Sequence, residues 1–119
     1  MLYALLIYSP EREWAGKSMA ERQLTMDSHI KAAQIEHADG ALLAGIRLRP
    51  TPFATTVRAT PNGIAVTDGP FAETKEQFGG FQLVDCPGLD DALRYARQLV
   101  EHGGTVEVRP VHPSPMTIE

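Results

Sequence analysis

The residues able to move a proton near neutral pH are few, and their spacing decides what they can do. His29 lies on the rim of the apolar stripe expected for the first long helix, where a ring leans toward a cleft while staying partly packed. Asp39 follows at that helix's end, and Asp68 closes a hairpin arm just before Gly69-Pro70. A histidine oriented by a carboxylate is a general-base pairing, because the carboxylate fixes the tautomer and stabilises the imidazolium. Asp39 meets His29 only if the loop folds back, since a straight helix separates them. Taken alone, His29 also reads as a half-buried helix residue and Asp68 as a turn former.

Other chemistries find less support. There is no His-Glu-x-x-His run, and Cys86 is the only cysteine, so no metal is expected. His29 and His37 stand eight residues apart, about 12 Å along a helix, too far to share an ion. Gly79-Gly80 and Gly103-Gly104 match neither nucleotide fingerprint and read as turns before strands. No serine sits in a nucleophile-elbow motif, and no cofactor is implied. Arg47, Arg49, Arg58 and Arg109 fall in or beside strands. They pair with Glu107 and Asp85, or hold an anionic small molecule with help from Lys75.

The elements that must position these groups follow from patterning. Leu2 to Tyr8 is an apolar run bounded by Ser9-Pro10 and reads as a strand covered on both faces. Ser18 and Glu21 form a capping box opening a helix to about Ala38. Met19, Met26, Ile30, Ala33 and His37 share one arc of that helix, expected to face the core, with Leu24 and Ile35 off it. Asp39-Gly40 ends it. Ala41 to Leu48 is a second strand. Ala54 to Thr60 and Ile64 to Asp68 flank Pro61-Asn62-Gly63, a hairpin signal. Phe71 to Phe78 is polar, with room for one helical turn. Phe81 to Asp85 is a strand. Leu89, Ala92, Leu93, Ala96, Leu99 and Val100 form a helical stripe that Gly103-Gly104 ends. Thr105 to Arg109 is the last strand, and a Pro-rich tail, loose or wrapping a partner, follows from about residue 111.

The order is β-α-β, a hairpin, then β-α-β. It predicts one α+β domain over residues 1–119: a ferredoxin-like split βαβ sandwich with an inserted hairpin. Two helices cover only one sheet face, yet the first strand is apolar on both. A second copy, sheet against sheet, is the expected cover. The 119 residues carry 11 Lys+Arg against 15 Asp+Glu, a formal net charge of -4, and 43% hydrophobic residues. That excludes a disordered chain and argues against nucleic-acid binding. No apolar run reaches membrane-spanning length and none resembles a signal peptide, so a cytoplasmic protein is expected.

The segment Val66-Thr67-Asp68-Gly69-Pro70-Phe71-Ala72-Glu73-Thr74-Lys75-Glu76-Gln77-Phe78-Gly79-Gly80-Phe81 resembles the signature of the DGPF, or YCII-related, family. Leu5-Leu6-Ile7-Tyr8, Thr55-Thr56-Val57-Arg58, Leu89-Asp90-Asp91-Ala92-Leu93 and Val106-Glu107-Val108-Arg109-Pro110 are similar to it as well. The resemblance implies a ferredoxin-like fold that dimerises through its sheets into a dimeric α+β barrel. In the YCII branch a helix histidine and an acidic residue near the next glycine are proposed as a dyad. His29 carries over as the histidine, with Asp39 or, from the signature itself, Asp68 as the carboxylate. Asp39 stands directly before Gly40, where the family pattern has its aspartate one residue earlier, at Ala38. The resemblance implies a small metal-independent enzyme, lyase- or hydrolase-like, acting on a small anionic or cyclic compound. Arg58 and Lys75 would hold the anion, and Phe71 and Phe81 would line an apolar wall. The alternative is a non-catalytic ligand-binding or regulatory dimer, linked to an extracytoplasmic-function sigma factor.

Overall fold

The computed structural model describes residues 1–114. Strand β1 (Leu2–Ser9) leads into a short helix α1 (Glu11–Gly16) and the long helix α2 (Met19–Ala38). Strand β2 (Leu42–Arg47), a 3-10 turn (Thr51–Phe53) and the strands β3 (Thr55–Thr60) and β4 (Gly63–Asp68) follow. Then come β5 (Gln77–Asp85), α3 (Leu89–Leu99) and β6 (Thr105–Pro110). The main sheet runs β2-β5-β1-β6, antiparallel throughout, while β3 and β4 pair only with each other. This α+β arrangement is compatible with the split βαβ, ferredoxin-like plan, with the hairpin inserted between the halves.

The capping box forms as expected. The Glu21 amide donates to Ser18 Oγ at 3.1 Å and the Ser18 amide to Glu21 Oε1 at 3.2 Å, satisfying two orphan donors. The face that α2 buries differs from expectation. Ser28, Ala32 and Glu36 point inward, while Met19 and Ile30 are exposed on the far side. The small Ala32 and Ser28 let the helix approach α3 and the sheet closely, and this closeness, rather than bulk, selects the face. Tyr3, Leu5, Val84, Ala92, Tyr95 and Leu99 form the core between the helices and one sheet face.

The other sheet face carries Ala4, Leu6, Phe81, Leu83 and Ile46 in cross-strand register, with no layer over it. The molecule is only 18 Å thick, one helix layer on one sheet. The β3–β4 hairpin stands clear of this body. Val57 pairs with Val66 and Ala59 with Ile64 on one hairpin face, where Val57, Ile64 and Val66 are 66%, 73% and 64% exposed. Its opposite, more polar face is covered by the Gly69–Phe71 turn, through Thr56 Oγ1 to Gly69 O at 2.7 Å and Arg58 to Phe71 O at 2.9 Å. The radius of gyration of 16.3 Å exceeds the roughly 13.5 Å of a compact chain of this length for that reason.

Two local expectations need correction. Residues 71–76 form bends and no helical turn, because Thr74 and Gln77 side chains bind the loop's own backbone instead. Gly79-Gly80 is not a turn before a strand. Both lie within β5, where Ile7 opposes Gly80 and Tyr8 opposes Phe78, leaving Gly79 as a bulge. Of the proline-rich tail, Val111 is tied back by its amide to Leu2 O at 2.9 Å, and residues 115–119 lie outside the described part.

Candidate functional site: a histidine cleft at the end of the sheet

Beside the end of β1, where the Gly79 bulge of β5 shifts the pairing, lies a cleft of about 80 Å³. Ile7, Tyr8 and Ser9 form its floor. Glu13, Trp14 and Lys17 come from α1, Thr25 and His29 from α2, and His102 to Thr105 from the turn after α3. Arg22 sets the angle between the two N-terminal helices. Its Nε donates to Trp14 O at 3.1 Å, which also accepts from the Lys17 amide, and its Nη2 to Ala15 O at 3.0 Å at the end of α1. Glu11 anchors the other end, accepting from Thr51 N at 2.8 Å and Thr51 Oγ1 at 2.7 Å.

His29 is half-buried and faces this cleft. Burial holds its imidazole below the ordinary histidine range, and the nearby Arg47 charge pushes the same way. The nearby Leu99 backbone carbonyl partly opposes both. With its pKa lowered, the ring is neutral at neutral pH and one nitrogen carries a lone pair. Thr25, one turn earlier, also lines the cleft, and its buried hydroxyl oxygen has no partner.

The carboxylates expected beside His29 are held elsewhere in the protomer. Asp39 caps α2 some 15 Å along the axis from His29. It accepts from Tyr95 Oη at 2.6 Å and Arg94 Nη2 at 2.9 Å. These bonds hold its carboxyl below the usual range, and burial with the Asp39 bond lifts the Tyr95 phenol to about 12. Asp68 ends the hairpin arm, exposed and outside the cleft lining. Arg58 is bound to the Phe71 carbonyl, and Phe71 itself is 74% exposed. Phe81 sits on the uncovered sheet face opposite Leu6 and Ile46. Lys75 lines a second, larger depression of about 510 Å³ with Glu11, Arg12 and Gln77, which shares Pro10 and Glu13 with the cleft. Of the seven residues singled out from sequence, the structure therefore brings His29 alone to the cleft.

The sequence reading passed over the groups that surround it. Trp14 was visible as the only tryptophan, in a polar stretch, but its helix is too short to show a period. Glu36 is a second omission. Its side chain is 0% exposed, and neither carboxylate oxygen has a partner. Burial alone raises its carboxyl to about 7. Among the described residues no three His, Cys, Asp or Glu side chains come together as metal ligands, and no helix is long and apolar enough to cross a membrane.

The architecture and cleft define a small α+β protein with a histidine-lined cleft beside an antiparallel sheet. The chain belongs to the YCII-related domain family, whose model matches residues 1–115. It is also 42% identical over 115 residues to an uncharacterised protein of Rhizobium meliloti (strain 1021), a match spanning 93% of this chain and 92% of that one.

Proposed function

We propose that this chain is a small acid–base enzyme, lyase- or hydrolase-like, that uses His29 as its general base. The observation that carries the reading is the imidazole itself: half-buried, kept neutral at pH 7, and facing a cleft with one nitrogen free. Such a group can take a proton from a small anionic or cyclic compound, or from a water that adds to it. The residues lining the cleft supply that proton transfer by themselves. The arrangement differs from a His–Asp dyad, since Asp39 is bound to Tyr95 and Arg94 and Asp68 lies outside the cleft lining. In an active protein, His29→Ala should lose roughly 10²–10⁴-fold in rate, measured on a substrate found by screening small ring compounds and carboxylic acids. Full turnover in that variant would overturn the reading.

The working form we infer is a homodimer, with the uncovered sheet faces meeting as in a dimeric α+β barrel. Support comes from the apolar register of Ala4, Leu6, Leu83, Phe81 and Ile46 on a body one sheet and one helix layer thick. A cytoplasmic setting fits the single thiol, Cys86, which is buried and unpaired.

A second reading, a non-catalytic ligand-binding or regulatory dimer, is favoured by one observation. No carboxylate among the described residues stands behind His29 to stabilise an imidazolium. The pH profile separates the two: a catalytic base gives an activity limb below about 6.5, and a sensor shows no turnover at any pH.

A further inference from the structure

We propose that the His29 cleft takes a small molecule bearing a carboxylate or phosphate group, held by Lys17 and Arg47 beside the Trp14 ring. The catalytic meaning of this site rests on the reading of His29 above, whereas the binding does not.

In a chain of net charge -4, three cations gather around one indole. Arg22 lies 5.6 Å, Arg47 5.8 Å and Lys17 6.0 Å from the Trp14 centroid. An exposed cation–π contact is weak, and three like charges around one ring repel one another. The arrangement needs another reason. Arg22 has one, since it closes the end of α1. Lys17 and Arg47 do not: the ion pairs among the described residues join Met1 to Asp85 and Arg94 to Asp39 and Asp91, and none reaches either cation. Glu21 feels the Lys17 charge, but its carboxylate is spent on the Ser18 amide.

Both cations bear on the cleft. Lys17 lines it, and Arg47 acts on the charge of His29. Register places Arg47 there: Ile46 pairs with Phe81 on the open sheet face, so Arg47 turns to the helix side, toward α1 and α2. Thr25 adds an unpartnered hydroxyl and His102 a second ring. Glu13 is the one carboxylate on the lining, and it makes no ion pair with Lys17. An incoming oxyanion would take charge-assisted hydrogen bonds from Lys17 and Arg47 and relieve the repulsion between the cations. It would also offset the effect of Arg47 on His29, so that binding makes the imidazole a stronger base. Arg58 and Lys75, the anion holders expected from sequence, have no part in it.

The test follows the Trp14 indole and His29 imidazole resonances of the full chain by NMR. Inorganic phosphate or acetate is added at constant ionic strength, with chloride as reference. Saturable shifts of both resonances with at least one of the two anions are expected. They should weaken tenfold or more in Lys17→Gln and in Arg47→Gln and persist in Arg58→Gln and Lys75→Gln. Arg47→Lys keeps the charge and should retain part of the response, which guards against a folding defect. Responses no larger than with chloride, or unchanged in Lys17→Gln and Arg47→Gln, would overturn the proposal. A Trp14 response that survives His29→Ala, beside full turnover in that variant, would sink the catalytic reading and leave the anion site standing.

Discussion

Glu36 should give this fold a stability that falls as pH rises through the mildly acidic range. Its carboxyl titrates near 4.5 in the unfolded chain and at about 7 in the folded one, because burial without a partner disfavours the charge. Between those values the native chain keeps a proton that the unfolded chain has released. Stability is therefore fully present below pH 4.5, declines to about pH 7 and is flat above it. At about 1.4 kcal/mol per pH unit, the loss is about 3 kcal/mol. That is a large part of a small domain's stability, and on the order of 10 °C in Tm. Glu36→Gln keeps the shape and removes the titration. The assay is urea unfolding of both proteins at fixed concentration from pH 4.5 to 8, read as the difference between them. His29, which loses stability on charging as pH falls, is present in both and cancels. The variant should gain about 3 kcal/mol on the wild type across this range. A difference that stays flat within about 0.5 kcal/mol, or runs the other way, would refute the reasoning.

The remaining expectations concern assembly and local structure. Leu6→Glu or Phe81→Glu puts a charge on the uncovered sheet face and should halve the mass seen by sedimentation, leaving the helical circular-dichroism signal intact; a wild type that sediments as a monomer at tens of micromolar would contradict the dimer. Gly80→Ala drives a methyl group into the Ile46 carbonyl oxygen across the β2–β5 ladder and should cost about 2 kcal/mol or more in urea unfolding, whereas Gly79→Ala meets only Ile7 O at 3.8 Å and should cost less. Ser18→Ala breaks the capping box of α2, and thermal melts should show about 1 kcal/mol lost.

Much of the architecture was legible because it rests on local chemistry. The Ser18–Glu21 box, the Asn62-Gly63 hairpin and the two-sided apolar β1 each have a mechanism that acts within a few residues. The inward face of α2 was not legible. Its apolar residues, Met19 and Ile30, point to solvent, while Ser28, Ala32 and Glu36 face the core. Packing distance chose the face, and no periodicity count sees that. The site divides in the same way. His29 was identifiable from its residue type and its place on the helix. Its separation from Asp39 and Asp68 was not, since that depends on backbone geometry far from these residues in sequence. Arg47 could be seen as a strand arginine, but only the β2–β5 register turns it toward Trp14 and His29.

The central claim is that His29 is a neutral base facing the cleft. It is met most directly by the imidazole titration of His29, followed by NMR in the wild type and in Arg47→Gln, Asp39→Asn and Asp68→Asn. The account predicts a midpoint below 6.5 that rises in Arg47→Gln and stays put in both Asn variants. A midpoint above 6.5, or a fall of about one pH unit in either Asn variant, would contradict it and restore a carboxylate to the site.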